Sequence, residues 1–205
     1  KLRAAYGQSA NFPAFQSRFT TLVSSNIGGL QGSLVNIQGG DANIKPERQT
    51  ELEAGLDFSV LNSRLSFEVT FYNKKIADFL LQNTVPTSSG FSTKWVNAGD
   101  LRNQGIEIGV NAQPIASKNI KWNTSVNFWM NRSKVTKLDI PSVQLGSFGT
   151  SLGTFQIEEG KPATQIVGND APSHTGVIVL GDQEPRFQMN SFNELTFFNK
   201  LTFRF

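Results

Sequence analysis

Glu51, Glu53 and Asp57 are the first residues whose types and spacing could do chemistry. They lie in ELEAGLDFSV, residues 51–60, where Leu52, Ala54, Leu56, Phe58 and Val60 alternate without a miss with Glu51, Glu53, Gly55, Asp57 and Ser59. A strand sends successive side chains to opposite faces, so the three carboxylates share one face. Neighbours two apart on that face are separated by ~7 Å, a distance that suits the two carboxyl groups of an inverting glycosidase. The same charges on a hydrated wall need no chemistry at all. No substrate cleft can be argued around them, and no catalytic residue is assigned.

The remaining candidates for chemistry are thin. His174 is the single histidine and lies in a polar loop. There is no cysteine, so thiolate metal sites and disulfides are excluded, and no second histidine completes a metal site. Ser24, Ser25, Ser88 and Ser89 lack the Gly-x-Ser-x-Gly context of a hydrolase. GNDAPSHTG lacks the Gly-Lys-Ser/Thr ending of a phosphate loop. Loop aromatics offer more. Phe91 and Trp95 flank SSGFSTKW, and Phe148 and Phe155 sit in a second Gly-rich loop. Their faces could stack on sugar rings or grip peptide side chains, or pack one loop on another. Lys74, Lys75, Lys94, Arg102 and Lys134 fall near strand ends, where long stems snorkel to lipid phosphates or solvate a rim.

These residues need strands to hold them. The alternation predicts seven, at about residues 2–8, 49–60, 65–81, 103–113, 120–135, 186–192 and 195–205. The third runs Leu65, Phe67, Val69, Phe71 against Ser66, Glu68 and Thr70. The fourth runs Ile106, Ile108, Val110, Ala112 against Glu107, Gly109, Asn111 and Gln113. The connections alternate between short (61–64, 114–119) and long (9–48, 82–102, 136–185). Structureless loops of that length are uncommon in compact soluble domains, whereas short turns on one side and long loops on the other mark transmembrane β-barrels. Phe71 with Tyr72, Trp122 with Phe128 and Trp129, and Phe197 with Phe198 suit aromatic girdles. No helix is expected. The Gly-rich piece NIGGLQGSLVNIQGGD leaves room for a hairpin, and a short strand is expected near residues 154–167.

Composition narrows the class. The 205 residues are 38% hydrophobic and only 17% charged, with 17 Phe against 2 Tyr and 3 Trp. The 19 Lys and Arg are scattered, which argues against a nucleic-acid surface. No apolar run reaches the ~18 residues of a spanning helix. Leu2, Ala4 and Tyr6 are already in strand phase, which points to a true beginning upstream.

The stretch NIKPERQTELEAGLDFSVLNSRLSFEVTFYNKK resembles the barrel of SusC/RagA-type TonB-dependent outer-membrane transporters of Bacteroidetes. KLRAAYGQ, SSGF, NAG, NQGIEIGVNAQPI, WNTSVNFWMNRSKVTKL, EGKPATQIVG and GDQEPRFQMN match in order over nearly the whole chain. The resemblance implies an all-β fold. The chain would supply about seven antiparallel strands of a barrel of about 22, with residues 1–205 inside the barrel domain. The family's plug domain and TonB box have no counterpart in these residues. Leu52, Leu56 and Phe58 would face outer-membrane lipid. Glu51, Glu53 and Asp57, and by the same alternation Glu107 and Asn111, would face the lumen. The function implied is import of an oligosaccharide or peptide, with a SusD-like surface lipoprotein as lid and a TonB complex supplying energy, and with no enzymatic step, cofactor or nucleic acid. Where relatives carry an acidic stretch resembling a calcium loop, this chain has only Asp170 and Asp182, so no calcium is assigned. Two rivals stand beside this reading: a soluble glycan-binding β-sandwich with its apolar faces inward, and a glycosidase using the acidic strand.

Overall fold

The structure, a computed structural model, describes residues 1–146, 153–169 and 176–205. The wall is built from β1 (Leu2–Asn11), β5 (Glu47–Val60), β6 (Leu65–Thr84), β7 (Thr93–Ala116), β8 (Ile120–Leu138), β13 (Gln188–Phe197) and β14 (Leu201–Arg204). Between them lie β2 (Leu22–Ile27), β3 (Leu30–Val35), β4 (Gln38–Gly39), β9 (Val143–Leu145), β10 (Thr154–Ile157), β11 (Gln165–Asn169) and β12 (Val177–Asp182). The wall strands pair antiparallel in the order β1-β5-β6-β7-β8-β13-β14, and β4 adds a short parallel pairing to β7. The sheet is open: β1 and β14 each have a single neighbour. No helix among the described residues is long and apolar enough to cross a membrane, and the one helical element described is the 3₁₀ turn Thr87–Ser89.

The seven wall strands correspond to the seven expected, with two corrections. First, the expected loop over 82–102 is mostly strand, since β6 runs on to Thr84 and β7 starts at Thr93. Register shifts at Ile76/Phe79, Phe79/Leu80 and Asp100/Leu101 reset the two-residue phase there, so alternation alone loses the strand. Second, the last hairpin turns at Phe198 and Asn199, not between residues 192 and 195. Leu195 and Phe197 belong to β13, paired with Trp122 and Ile120. Phe198 and Asn199 take positive φ (51° and 56°), the left-handed pair of a tight hairpin turn. The Gly-rich first loop holds the hairpin for which the sequence leaves room, β2–β3 turned at Gly28 and Gly29, and the third loop builds the four-stranded sheet β12-β11-β10-β9, with β10 and β11 in place of the one short strand expected near residues 154–167.

The buried core lies at the loop end of the wall. Phe79, Ala98, Val135 and Ile157 are buried together, with Ile76, Leu101, Leu138, Leu145 and Ala163 packed against them. Ile76, Leu101 and Val135 are register partners across β6, β7 and β8. The β9–β12 sheet therefore seats on the wall through Ile157. Two backbone bonds, Val135 N to Lys161 O (2.9 Å) and Gly160 N to Val135 O (2.8 Å), clip it down.

Candidate functional site: a polar wall face

Register partners in an antiparallel pair point to the same side, so pairing assigns every wall residue to a face. On one face Leu56, Val69, Ile108, Phe128 and Met189 form a lateral row, with Ala54–Phe71–Ile106–Met130 beside it. These side chains meet no second layer. Leu52 is 56% exposed, and Leu56 and Phe58 are 42% exposed. Aromatic pairs mark this face near both ends of the band: Phe58 stacks on Phe67 (4.7 Å) and Phe203 meets Phe197 edge-on near the short turns, and Phe128 stacks on Phe187 towards the loops.

The opposite face is polar and more enclosed. On β5 the residues Glu51, Glu53, Gly55 and Asp57 are half-buried while their apolar neighbours are exposed. Glu51 stands opposite Lys74 and the ion pair spans 3.9 Å. Asp57 stands opposite Glu68, a like-charge pair that Arg3 relieves. Its guanidinium lies over Gly55 and donates to Asp57 Oδ1 (2.6 and 2.9 Å) and to Thr70 (3.3 Å). Glu107 is exposed opposite Thr70, and Asn111 opposite Ser66. A shallow recess of about 340 Å³ opens between Glu51, Glu53, Tyr72, Lys74, Glu107 and Asn131.

Tyr72 and Trp129, which suit a girdle by residue type, lie on this polar face. Tyr72 is opposite Glu53 and Gly105, and Trp129 opposite Glu107. Their phase was the available signal, since Tyr72 alternates with Thr70 and Lys74, and Trp129 with Asn127 and Asn131. The Tyr72 ring covers Gly105, where a Cβ would come within 2.3 Å of the phenol. Its hydroxyl donates to Asn131 Oδ1 at 2.9 Å. Asn131 in turn donates to Glu184, whose other oxygen accepts from Ser133 N (3.1 Å). We expect Tyr72→Phe to lower stability by about 1 kcal/mol, read as a reduced urea midpoint of the full-length protein in detergent; no change would show that the bond contributes nothing.

The described loop aromatics, Phe91, Trp95 and Phe155, lie on different elements. Phe91 lies over Gly39 and so straps the first long loop to the second. Trp95 is on β7 opposite Gln82, and Phe155 is on β10 opposite Leu145 and Ile166. Phe148, His174 and Asp170 fall outside the described residues. Asp182 accepts from Thr164 (2.6 Å) and Glu184 N (3.0 Å), and no group of three or more metal-ligating side chains occurs among the described residues.

The family motifs gain structural meanings. In NAG, Asn97 accepts from Lys45 N (2.8 Å) and donates to Lys45 O (2.9 Å) and Asp78 O (2.8 Å). It ties the segment leading into β5 to the bulge of β6, where Asp78 has φ 57°. In NIKPERQ, Glu47 accepts from Leu80 N (3.2 Å).

Comparison with known proteins agrees with this geometry. The family model for the TonB dependent receptor-like β-barrel matches residues 1–203. A TonB-dependent receptor of Formosa agariphila is 30% identical over 194 residues, 88% of this chain and 18% of that protein. The TonB-dependent receptor SusC of Bacteroides thetaiotaomicron is 37% identical over 97 residues, 47% of this chain and 10% of that protein. Among solved structures, the RagAB peptide transporter superposes with a TM-score of 0.76 at 21% identity, covering 96% of this chain and 25% of that one. The chain thus spans a quarter or less of each of these three proteins. An open antiparallel wall with its apolar face uncovered, matched along residues 1–203 by that model, places the chain in the TonB-dependent receptor β-barrel family.

Proposed function

We propose that this chain forms wall and loops of an active outer-membrane importer for a polar nutrient, an oligosaccharide or a peptide. A SusD-like surface lipoprotein closes it and a TonB complex drives it. One observation carries the reading: the apolar face lies open along the whole wall, while the face opposite is lined by half-buried carboxylates, amides and a tyrosine. Residues 1–205 belong to the barrel domain. Glu51, Glu53, Asp57, Glu107 and Asn111 face an aqueous lumen, and Phe91, Trp95, Phe148 and Phe155 belong to the loops that meet the solute. In the lining of the recess Glu51, Glu53 and Glu107 outnumber Lys74. The wall therefore favours neutral or cationic solutes over anionic ones.

The absence of cysteine from these residues makes the test direct. Single cysteines at positions 51, 53, 57, 107 and 111 of the full-length protein, in intact outer membranes, are expected to react with a membrane-impermeant maleimide. Cysteines at 52, 56 and 58 are expected to be shielded from it and, when spin-labelled, to be broadened by a lipid-phase relaxation agent. The reverse pattern would overturn the lumen assignment and favour an inward-packed sandwich. Uptake of labelled oligosaccharides and peptides by cells with and without the gene then decides the solute class.

A further inference from the structure

We propose that Lys75, Arg102 and Lys134, with the groove beside them, bind a phosphate group of an outer-leaflet lipid. The proposal rests on the apolar face being lipid-facing. Lys75 stands directly opposite Arg102, and Arg102 directly opposite Lys134, so three cations occupy one lateral row across β6, β7 and β8. Strands about 4.8 Å apart hold them within roughly 10 Å. Like charges directly opposed in a sheet are destabilising. Among the described residues no carboxylate pairs with any of the three. Arg102 has a neutral partner, its Nε donating to Asn73 Oδ1 at 2.9 Å. The row thus presents uncompensated positive charge, which calls for an anion from outside the chain.

Position identifies the anion's carrier. Phe71, Ile106 and Met130 form the last apolar row, Asn73, Gln104 and Arg132 the next, and the cations the one after. Four residues separate Phe71 from Lys75, about 13 Å along the strand, and lysine stems reach back over part of that distance. The charges therefore stand at headgroup depth above an acyl-facing band, on the side of the wall that carries the long loops. A second observation lies on the same face. A groove of about 620 Å³ runs beside Lys75, lined by Gln8, Arg48, Thr50 and Ala77. Thr50 is opposite Lys75, and Gln8 opposite Thr50, so hydroxyl and amide donors continue the cationic row. Arg48 borders the groove and is held by Asp78 at 3.2 Å. A phosphate seated there takes charge-assisted hydrogen bonds from Lys75 and Arg102, while its acyl chains lie along the apolar rows below.

The test uses the full-length transporter, purified in a zwitterionic detergent and titrated with diphosphoryl lipid A in mixed micelles, with bound lipid read by native mass spectrometry. Combined Lys75→Gln, Arg102→Gln and Lys134→Gln is expected to weaken binding roughly a hundredfold. Lys75→Gln with Lys134→Gln, both at exposed positions, is expected to weaken it at least about tenfold and serves if the triple variant assembles poorly. Lys118→Gln with Lys200→Gln, the same charge loss in the short turns at the other end, is expected to change nothing. Equal affinity in all variants overturns the site, and so does an equal loss in the turn variant. Displacement of lipid A by inorganic phosphate overturns the lipid assignment in favour of a free-anion site. Thiol labelling that supports the outward face together with unchanged lipid A affinity removes this proposal alone; reversed labelling removes the reading beneath it.

Discussion

Ile108→Arg is expected to stop the full-length protein from assembling in the outer membrane, while Asn111→Arg, three residues along the same strand, leaves it assembled. Ile108 stands between Val69 and Phe128 in the middle of the uncovered apolar face. An arginine at the midplane of a barrel's lipid face costs about 2–4 kcal/mol, against a total stability on the order of 10 kcal/mol. Its stem cannot reach either interface from there, because apolar rows extend on both sides. Asn111 is exposed on the polar face beside Ser66 and Ser125, where a charge stays hydrated. The measurement is the heat-modifiable folded band in outer-membrane fractions. Loss with both variants, or with neither, would show that the two faces do not differ as lipid and water do.

Gly99→Ala is the second substitution with a large expected effect. Gly99 has φ 147°, and a Cβ there would lie 2.1 Å from Lys137 O and 2.8 Å from Lys137 C. Both obstacles are backbone atoms of the neighbouring strand, so no rotamer change relieves them. Disfavoured backbone and overpacking each cost about 1–3 kcal/mol, and a combined loss of about 3 kcal/mol or more is expected. The damage is local, because Gly99 adjoins the fully buried Ala98 and the seat of the β9–β12 sheet. We expect protease to cut within residues 139–187 while the wall keeps its heat-modifiable band. Wild-type resistance in that loop would contradict the packing described. Asn97→Ala is the milder comparison, since it removes hydrogen bonds without a clash.

The wall was legible in the sequence because one apolar and one polar face impose a strict two-residue period on it. Leu52 to Val60 and Ile106 to Ala112 carry that period without interruption, and their faces follow from it. Legibility ended where the constraint ended. Beyond Ile76 the strands leave the apolar band, three register shifts reset the phase, and β7 between Thr93 and Arg102 reads as loop although it is paired on both sides of Ala98. The last hairpin was misplaced because Phe197 and Phe198 are alike in type and differ only in backbone, with Phe198 in the left-handed region. Tyr72 and Trp129 were sorted by residue type when their phase placed them among the polar residues. The cationic row lay beyond single-strand reading altogether, because Lys75, Arg102 and Lys134 become neighbours only through register.

The seat at the loop end has a consequence for how such a wall diversifies. The β9–β12 sheet meets it through a small apolar contact, Ile157 with Leu145 and Ala163 against Phe79, Ala98 and Val135, and through two backbone clips at Val135. Lengthening a flexible loop is cheap, about 0.6 kcal/mol for each doubling. A replacement of quite different length and sequence would therefore be accepted if it offered a few apolar side chains to that socket and a Gly-Lys-like pair to the clips. The wall is a chassis with a standard fitting, and what is mounted on it can change without disturbing the register below.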